Sequence, residues 1–135
     1  MDFVGLIEQR FLPRLREAGE QIAREFPAVA VKVCSYEGGQ LTKNLAHAFA
    51  IDCNLRAPQS ENDNVGLIIL LEHLREQPTI RADVIWGAPS GSTEFEVYED
   101  EMLVSEEVLT EIEDKLPLMI NTLKSALARG KPSNE

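Results

Sequence analysis

Apolar side chains recur with a helical period at both ends of the chain. They return every three or four residues over residues 2–26 and again over residues 105–128, which predicts one amphipathic helix in each stretch. Pro13 and Pro117 lie inside these two patterns. Because proline removes a backbone hydrogen bond and clashes with the preceding turn, we expect each helix to be kinked or interrupted there.

Between the two helices, apolar and polar residues alternate, as they do in a strand with one buried face. This alternation predicts strands over residues 28–36, 45–55, 79–87 and 93–98. Residues 102–104 either extend the sheet or lead into the last helix. Residues 65–76 are ambiguous, because a continuous apolar run suits both a strand buried on two faces and a buried helix. The pair Ile68 and Ile69 favours a strand over residues 66–73.

These elements predict an α+β fold, in which an antiparallel sheet of four to five strands is flanked by an N-terminal helix and a C-terminal helix. A chain of 135 residues with 44% hydrophobic and 27% charged residues is ordinary for one compact domain. We therefore predict a single domain over residues 1–130, followed by a disordered tail at residues 131–135.

Two further features bear on the compartment. The N-terminus has no basic region followed by a long apolar run, and the longest apolar run, residues 65–71, is too short to span a bilayer. Cys34 and Cys53 lack the spacing of a metal or redox motif, so buried free thiols are predicted. These features predict a cytoplasmic protein that does not bind a membrane.

The net charge of −10 originates in one segment. Residues 82–114 contain eleven acidic residues and no lysine or arginine. A phosphate backbone requires a basic footprint, so this composition argues against nucleic-acid binding. The segment either solvates the protein or docks a basic protein partner. Glu94, Glu96 and Tyr98 are predicted to point outward, and the full set predicted to bind a partner is Glu94, Glu96, Tyr98, Glu99, Asp100 and Glu101.

Candidate catalytic chemistry is sparse. His47 lies on the apolar face of a strand and His73 at the end of the ambiguous segment, and each is better explained as a core or edge residue than as a base. Together with Asp52 and Cys53, they lack the spacing of metal ligands. The sequence therefore predicts no catalytic residue, no metal site and no cofactor, although a site assembled from distant residues stays open.

Small residues indicate a second surface. Opposite the large apolar residues of the first two strands lie Ala28, Ala30, Ala46, Ala48 and Ala50. Such a face is more apolar than an ordinary solvated sheet face. Either the N-terminal helix covers it or a second copy of the chain does, and the second alternative predicts a homodimer.

In size, charge and order of elements, the chain resembles secretion chaperones and some toxin-neutralising immunity proteins. That resemblance implies a function through protein–protein contact. We accordingly predict a non-catalytic binding or regulatory protein with an acidic docking face. The alternative is a small enzyme or ligand-binding domain with a pocket between sheet and helices, which a deep polar cleft gathering His47, His73 or Asp52 would favour.

Overall fold

The computed structural model describes residues 2–37, 46–55, 64–75, 77–87 and 91–133. The chain begins with helix α1 (Phe3–Glu25) and ends with helix α2 (Glu106–Arg129). Between the helices lie six strands: β1 (Ala30–Glu37), β2 (Ala46–Asn54), β3 (Asn64–Glu72), β4 (Thr79–Trp86), β5 (Thr93–Glu96) and β6 (Met102–Leu103). The predicted α+β fold is confirmed, and the ambiguous segment forms strand β3.

The strand pairs are all antiparallel, in the order β1-β2-β3-β4-β5. Strand β6 pairs with β4 at Thr79 and Ile80, so that β5 and β6 share one edge of β4. The sheet has one strand more than the upper prediction, because the short segment after β5 pairs with the sheet before the chain enters α2.

Both helices run through a proline without a break. Asp2 caps helix α1, and its carboxylate accepts a hydrogen bond from Gly5 N (2.9 Å). Pro13 and Pro117 are exposed, and neither helix is interrupted at its proline. An internal proline costs about 3 kcal/mol, which the burial of one or two large apolar side chains on either side offsets. The interruption considered from the sequence therefore does not occur.

The two helices pack on the same face of the sheet. Their apolar stripes and the strand residues that face them form the main core. Its largest fully buried side chains are Trp86, Phe11, Phe49, Ile7, Leu15, Ile22, Ile51, Leu67, Ile69, Leu71, Ile80 and Leu109. Since burying such a side chain contributes roughly 1.5–3 kcal/mol, this layer between helices and sheet dominates the stability of the fold.

The other face of the sheet, which we call the open face, carries a smaller apolar cluster. Its buried members are Ala48, Ala50, Ile68 and Ile85, and Cys34, Tyr36 and Leu70 pack against them. Helix α1 packs on the opposite face and does not cover these alanines. Of the two alternatives for the small-residue face, cover by the N-terminal helix is therefore excluded, and the homodimer stays a prediction.

Three smaller expectations concern thiols, membranes and the C-terminus. Cys34 and Cys53 are free thiols; Cys53 is buried and Cys34 is half-buried. Within the described residues, neither helix combines the length and the apolarity that a membrane crossing requires. Of the tail predicted to be disordered, residues 131–133 follow α2 and include a contact with Glu94, whereas residues 134 and 135 lie outside the described part of the chain.

Candidate functional site

The predicted docking residues lie on strand β5 and just after it, and the structure divides them into two groups. Glu94 and Tyr98 are engaged in contacts within the protein. The other four, Glu96, Glu99, Asp100 and Glu101, are exposed. The position of Glu94 follows from the way in which β5 pairs with β4, and that of Tyr98 from a contact with α2.

A register shift between Val84 and Ile85 changes the orientation of Glu94. Val84 pairs with Phe95 and Ile85 pairs with Thr93, which leaves Glu94 as the extra residue of a β-bulge. The Glu94 side chain is only 6% exposed. The predicted outward orientation of Glu94 is therefore wrong, because the bulge breaks the alternation along β5 at this residue.

Three donors meet at Oε1 of Glu94. Trp86 Nε1 donates from 2.8 Å, Ser133 N donates from 2.9 Å, and the Arg129 guanidinium forms an ion pair with the same oxygen. Burial by itself raises the pKa of this carboxyl, but the bonds from Ser133 and Trp86 and the charge of Arg129 hold the pKa of Glu94 below its ordinary value. Glu94 thus joins the sheet to the end of α2 and to the residues that follow it.

Tyr98 is half-buried against the main core. Its hydroxyl donates a hydrogen bond to Glu111 Oε2 on α2 (2.8 Å). Burial, and then the Glu111 carboxylate, raise the pKa of Tyr98 to about 12. Tyr98 therefore fastens the chain after β5 to α2, and its hydroxyl is already engaged.

The exposed acidic residues adjoin two exposed apolar side chains. Among the described residues, no lysine or arginine nitrogen lies within 4.0 Å of the carboxylates of Glu96, Glu99 and Asp100. Met102 and Leu103 follow in sequence and are 37% and 56% exposed. We call this surface the acidic edge; it consists of Glu96, Glu99, Asp100, Glu101, Met102 and Leu103.

Strand β4 holds the acidic edge in place. Thr79 Oγ1 donates a hydrogen bond to Glu101 Oε2 (2.9 Å), and β6 pairs with β4 through Met102 and Leu103. Alternation gives no sign that these two apolar residues belong to the site, because a strand of two residues is too short to show it. The available signal was their position directly after three acidic residues.

Other acidic residues of the segment are neutralised within the protein. Arg10 on α1 donates to Glu113 Oε1 (2.6 Å) and to Glu106 Oε2 (2.9 Å), both on α2. Arg81 Nε donates to Asp83 Oδ2 (2.9 Å) on the open face. These pairs reduce the charge that the segment offers to a partner.

Asp83 is a buried carboxylate on the open face. Its second oxygen, Oδ1, is buried and has no hydrogen-bond partner among the described residues. Burial raises the pKa of Asp83; the Arg81 guanidinium opposes that shift, and the carboxylate of Glu96, opposite Asp83 on β5, adds to it.

Two side-chain pairs place a nucleophile near a base. Ser35 Oγ lies 2.7 Å from His47 Nε2, and the His47 ring is tilted against Phe49 with the ring centroids 4.8 Å apart. Among the described residues, no carboxylate contacts His47. Cys34 Sγ donates to Asp52 Oδ2 (3.4 Å). Burial, and then the Asp52 charge, raise the pKa of Cys34 to about 11, so its sulfur stays a thiol. In the described part of the chain, no third group contacts either pair in the way that would activate a nucleophile.

Open concavities occur at the sheet and at the helix ends. One of about 400 Å³ on the β1–β3 side of the sheet is lined partly by Lys32, Asp52 and Gly66. Another of about 470 Å³ lies beside Phe26 and Leu127. Asp52 lines the first of these concavities, whereas neither His47 nor His73 lines either of them. The ligand-binding alternative therefore stays a prediction.

One group of side chains has the composition of a metal site. Glu72, His73 and Glu101 each offer a ligand atom, and these atoms lie within 4.8 Å of one another. In the part of the chain that the structure describes, His47, Asp52 and Cys53 belong to no such group. The His73 and Glu101 side chains are 29% and 39% exposed.

Comparisons with known proteins add no assignment to this geometry. No protein-family model matches the chain, and no curated protein or solved structure matches it. The resemblance in layout to secretion chaperones and immunity proteins therefore stays a prediction.

Proposed function

We propose that this protein is a non-catalytic binding protein that docks a basic protein partner on its acidic edge. One observation carries the proposal: Glu96, Glu99 and Asp100 are exposed, have no lysine or arginine nitrogen within 4.0 Å among the described residues, and lie next in sequence to two exposed large apolar side chains. Carboxylates whose only role is to keep a protein soluble do not need such apolar neighbours. Apolar anchors bordered by charged groups are the usual composition of a protein-binding surface.

The two kinds of side chain have different roles in this proposal. Glu96, Glu99 and Asp100 attract a basic surface and select against an acidic one, which chiefly affects the rate of association and the choice of partner. Met102 and Leu103 supply contact area that becomes buried in the complex. The partner therefore carries lysine or arginine residues around an apolar patch.

The contacts inside the protein support docking to a preformed surface. The pairing of β6 with β4 and the bond from Thr79 to Glu101 restrain one end of the acidic edge, and the bond from Tyr98 to Glu111 restrains its middle. A surface that is already ordered loses less conformational entropy on binding. Glu94 and Tyr98 contribute to the proposed site in this way, by positioning it.

Capture from the native host with matched variants tests the proposal. The edge variant carries Glu96→Lys, Glu99→Lys and Asp100→Lys, and a second variant carries Met102→Ser and Leu103→Ser. The control carries Glu8→Lys, Glu17→Lys and Glu20→Lys, which make the same change in net charge on exposed positions of α1.

We expect the wild type and the α1 control to retain the same basic protein, and both acidic-edge variants to lose it. Circular dichroism and thermal melting verify that each variant is folded. Two outcomes contradict the proposal: a partner that the wild type and the edge variant retain equally, or the recovery of no protein by the wild type.

A further inference from the structure

We propose that Glu72, His73 and Glu101 form a binding site for one zinc ion. Two carboxylates and an imidazole supply the ligand atoms, which lie within 4.8 Å of one another. The proposal does not depend on partner docking, because it concerns a bound cation and because neither Glu72 nor His73 belongs to the acidic edge.

The sheet brings these ligands together from two distant segments. Glu72 is the last residue of β3 and pairs with Thr79 on β4, and Thr79 pairs in turn with Leu103 on β6. Glu101 precedes Leu103 by two residues, which places both on the same side of an extended chain. The two carboxylates therefore lie on either side of Thr79, at one end of the sheet.

Two contacts orient the ligands. Thr79 Oγ1 donates to Glu101 Oε2 (2.9 Å), and the other oxygen of that carboxylate, Oε1, lies 4.0 Å from His73 Nε2. His73 has a φ of 58°, a left-handed conformation that is uncommon for residues other than glycine. A polar group bound to a ligating carboxylate is typical of metal sites, where it fixes the direction of the ligand atom.

The donor set selects the kind of ion. Calcium and magnesium prefer oxygen ligands throughout, whereas an imidazole with carboxylates suits zinc. Two carboxylates and a neutral imidazole carry a charge that balances a divalent cation. Zinc ligands lie about 2.0–2.2 Å from the ion, which puts the atoms of a tetrahedral site about 3.3 Å apart, so binding requires the ligand atoms to approach one another by at most about 1.5 Å. Rotation of the partly exposed Glu101 and His73 side chains supplies that movement.

Titration of the purified chain with zinc chloride in a calorimeter tests the site. The informative variant is His73→Asn, because asparagine accepts the left-handed conformation and lacks the imidazole. The matched control is His47→Asn, which removes the other histidine of the chain. We expect one equivalent of zinc to bind the wild type and the control with equal affinity, and His73→Asn to bind at least tenfold more weakly.

A second metal gives an independent readout. Cobalt(II) added in place of zinc is expected to develop visible absorption bands of a nitrogen- and oxygen-ligated site in the wild type, and to lose them in His73→Asn. Absence of zinc binding by the wild type, or equal binding by His73→Asn, overturns the proposal, as does a preference for calcium over zinc. His73→Asn leaves every residue of the acidic edge unchanged, so the loss of zinc together with retention of the partner by this variant distinguishes the two proposals.

Discussion

The indole nitrogen of Trp86 donates a hydrogen bond to Glu94 Oε1 across 2.8 Å. This bond places a carboxylate from the edge of the sheet beside a fully buried tryptophan of the core. Arg129 and Ser133 reach the same oxygen from the C-terminal end of α2 and beyond. Glu94 is therefore a structural residue, and its loss should be measured as a change in stability.

Removing the Glu94 side chain leaves Trp86 Nε1 buried without an acceptor. We expect Glu94→Ala to lower the free energy of unfolding by about 2 kcal/mol, because a buried donor without a partner costs about that much. Urea denaturation followed by tryptophan fluorescence measures the change. The control is Glu99→Ala, an exposed position at which we expect a change within about 0.5 kcal/mol. Equal effects of the two substitutions would contradict the structural role of Glu94.

The lowered pKa of Glu94 predicts a dependence on pH. The unfolded carboxyl, near its ordinary value of 4.5, takes up a proton at higher pH than the folded one does. Its contribution to stability is therefore complete above that value and is lost as the pH falls through the pKa of the folded state. We expect the difference in unfolding free energy between wild type and Glu94→Gln to be constant near neutrality and to shrink below about pH 4.5. A difference that stays constant down to pH 3 would contradict this assignment.

The raised pKa of Asp83 predicts a pH dependence of stability that is opposite in sign to that of Glu94. Burial raises the pKa of Asp83 in the folded protein above the ordinary value of 3.8. Between 3.8 and the pKa of the folded state, the folded protein binds more protons than the unfolded protein, so stability falls as the pH rises. Asp83→Asn removes this charge. We expect the stability of the variant relative to the wild type to be higher at pH 7 than at pH 3.5, as measured by urea denaturation at both values. The prediction fails if the variant loses stability relative to the wild type over that interval.

Gly19 marks a close approach between α1 and β1. A Cβ atom at this position would lie 2.5 Å from Val33 Cγ2, well inside van der Waals contact. We expect Gly19→Ala to destabilise the fold by about 1–2 kcal/mol, although alanine favours a helix. Adding Val33→Ala removes the clashing methyl group, so the double variant should be more stable than the sum of the two single changes indicates. Additive free energies would show that the clash is not the cause.

The periodicity of apolar residues along the sequence predicted the fold, because the helices and central strands of this protein bury side chains at regular intervals. The apolar stripe of α1 continues on both sides of Pro13. The alternation of β2 places Phe49 and Ile51 in the main core as expected. The run that was ambiguous between helix and strand forms β3, in which Ile69 faces the helices and Ile68 faces the other way. Burial on two faces explains why that run showed no period.

The candidate site was predicted only in part, because its details depend on tertiary contacts. The bulge that turns Glu94 towards Trp86 has no signal in the alternation of residues 93–98. The bond from Tyr98 to Glu111 joins a strand end to a helix whose position the sequence does not give. Exposure of Met102 and Leu103 follows from the pairing of two residues with β4, which periodicity cannot detect.

The most direct test of partner docking is the affinity of the captured basic protein for the wild type, measured by calorimetry at 50 mM and 300 mM NaCl. Docking on the acidic edge predicts that affinity falls about tenfold over this range, because salt screens exposed charges. It also predicts that Glu96→Lys, Glu99→Lys and Asp100→Lys together abolish binding, whereas the three reversals on α1 leave it within about twofold of the wild type. An affinity that is insensitive both to salt and to charge reversal at the acidic edge would contradict the proposed function.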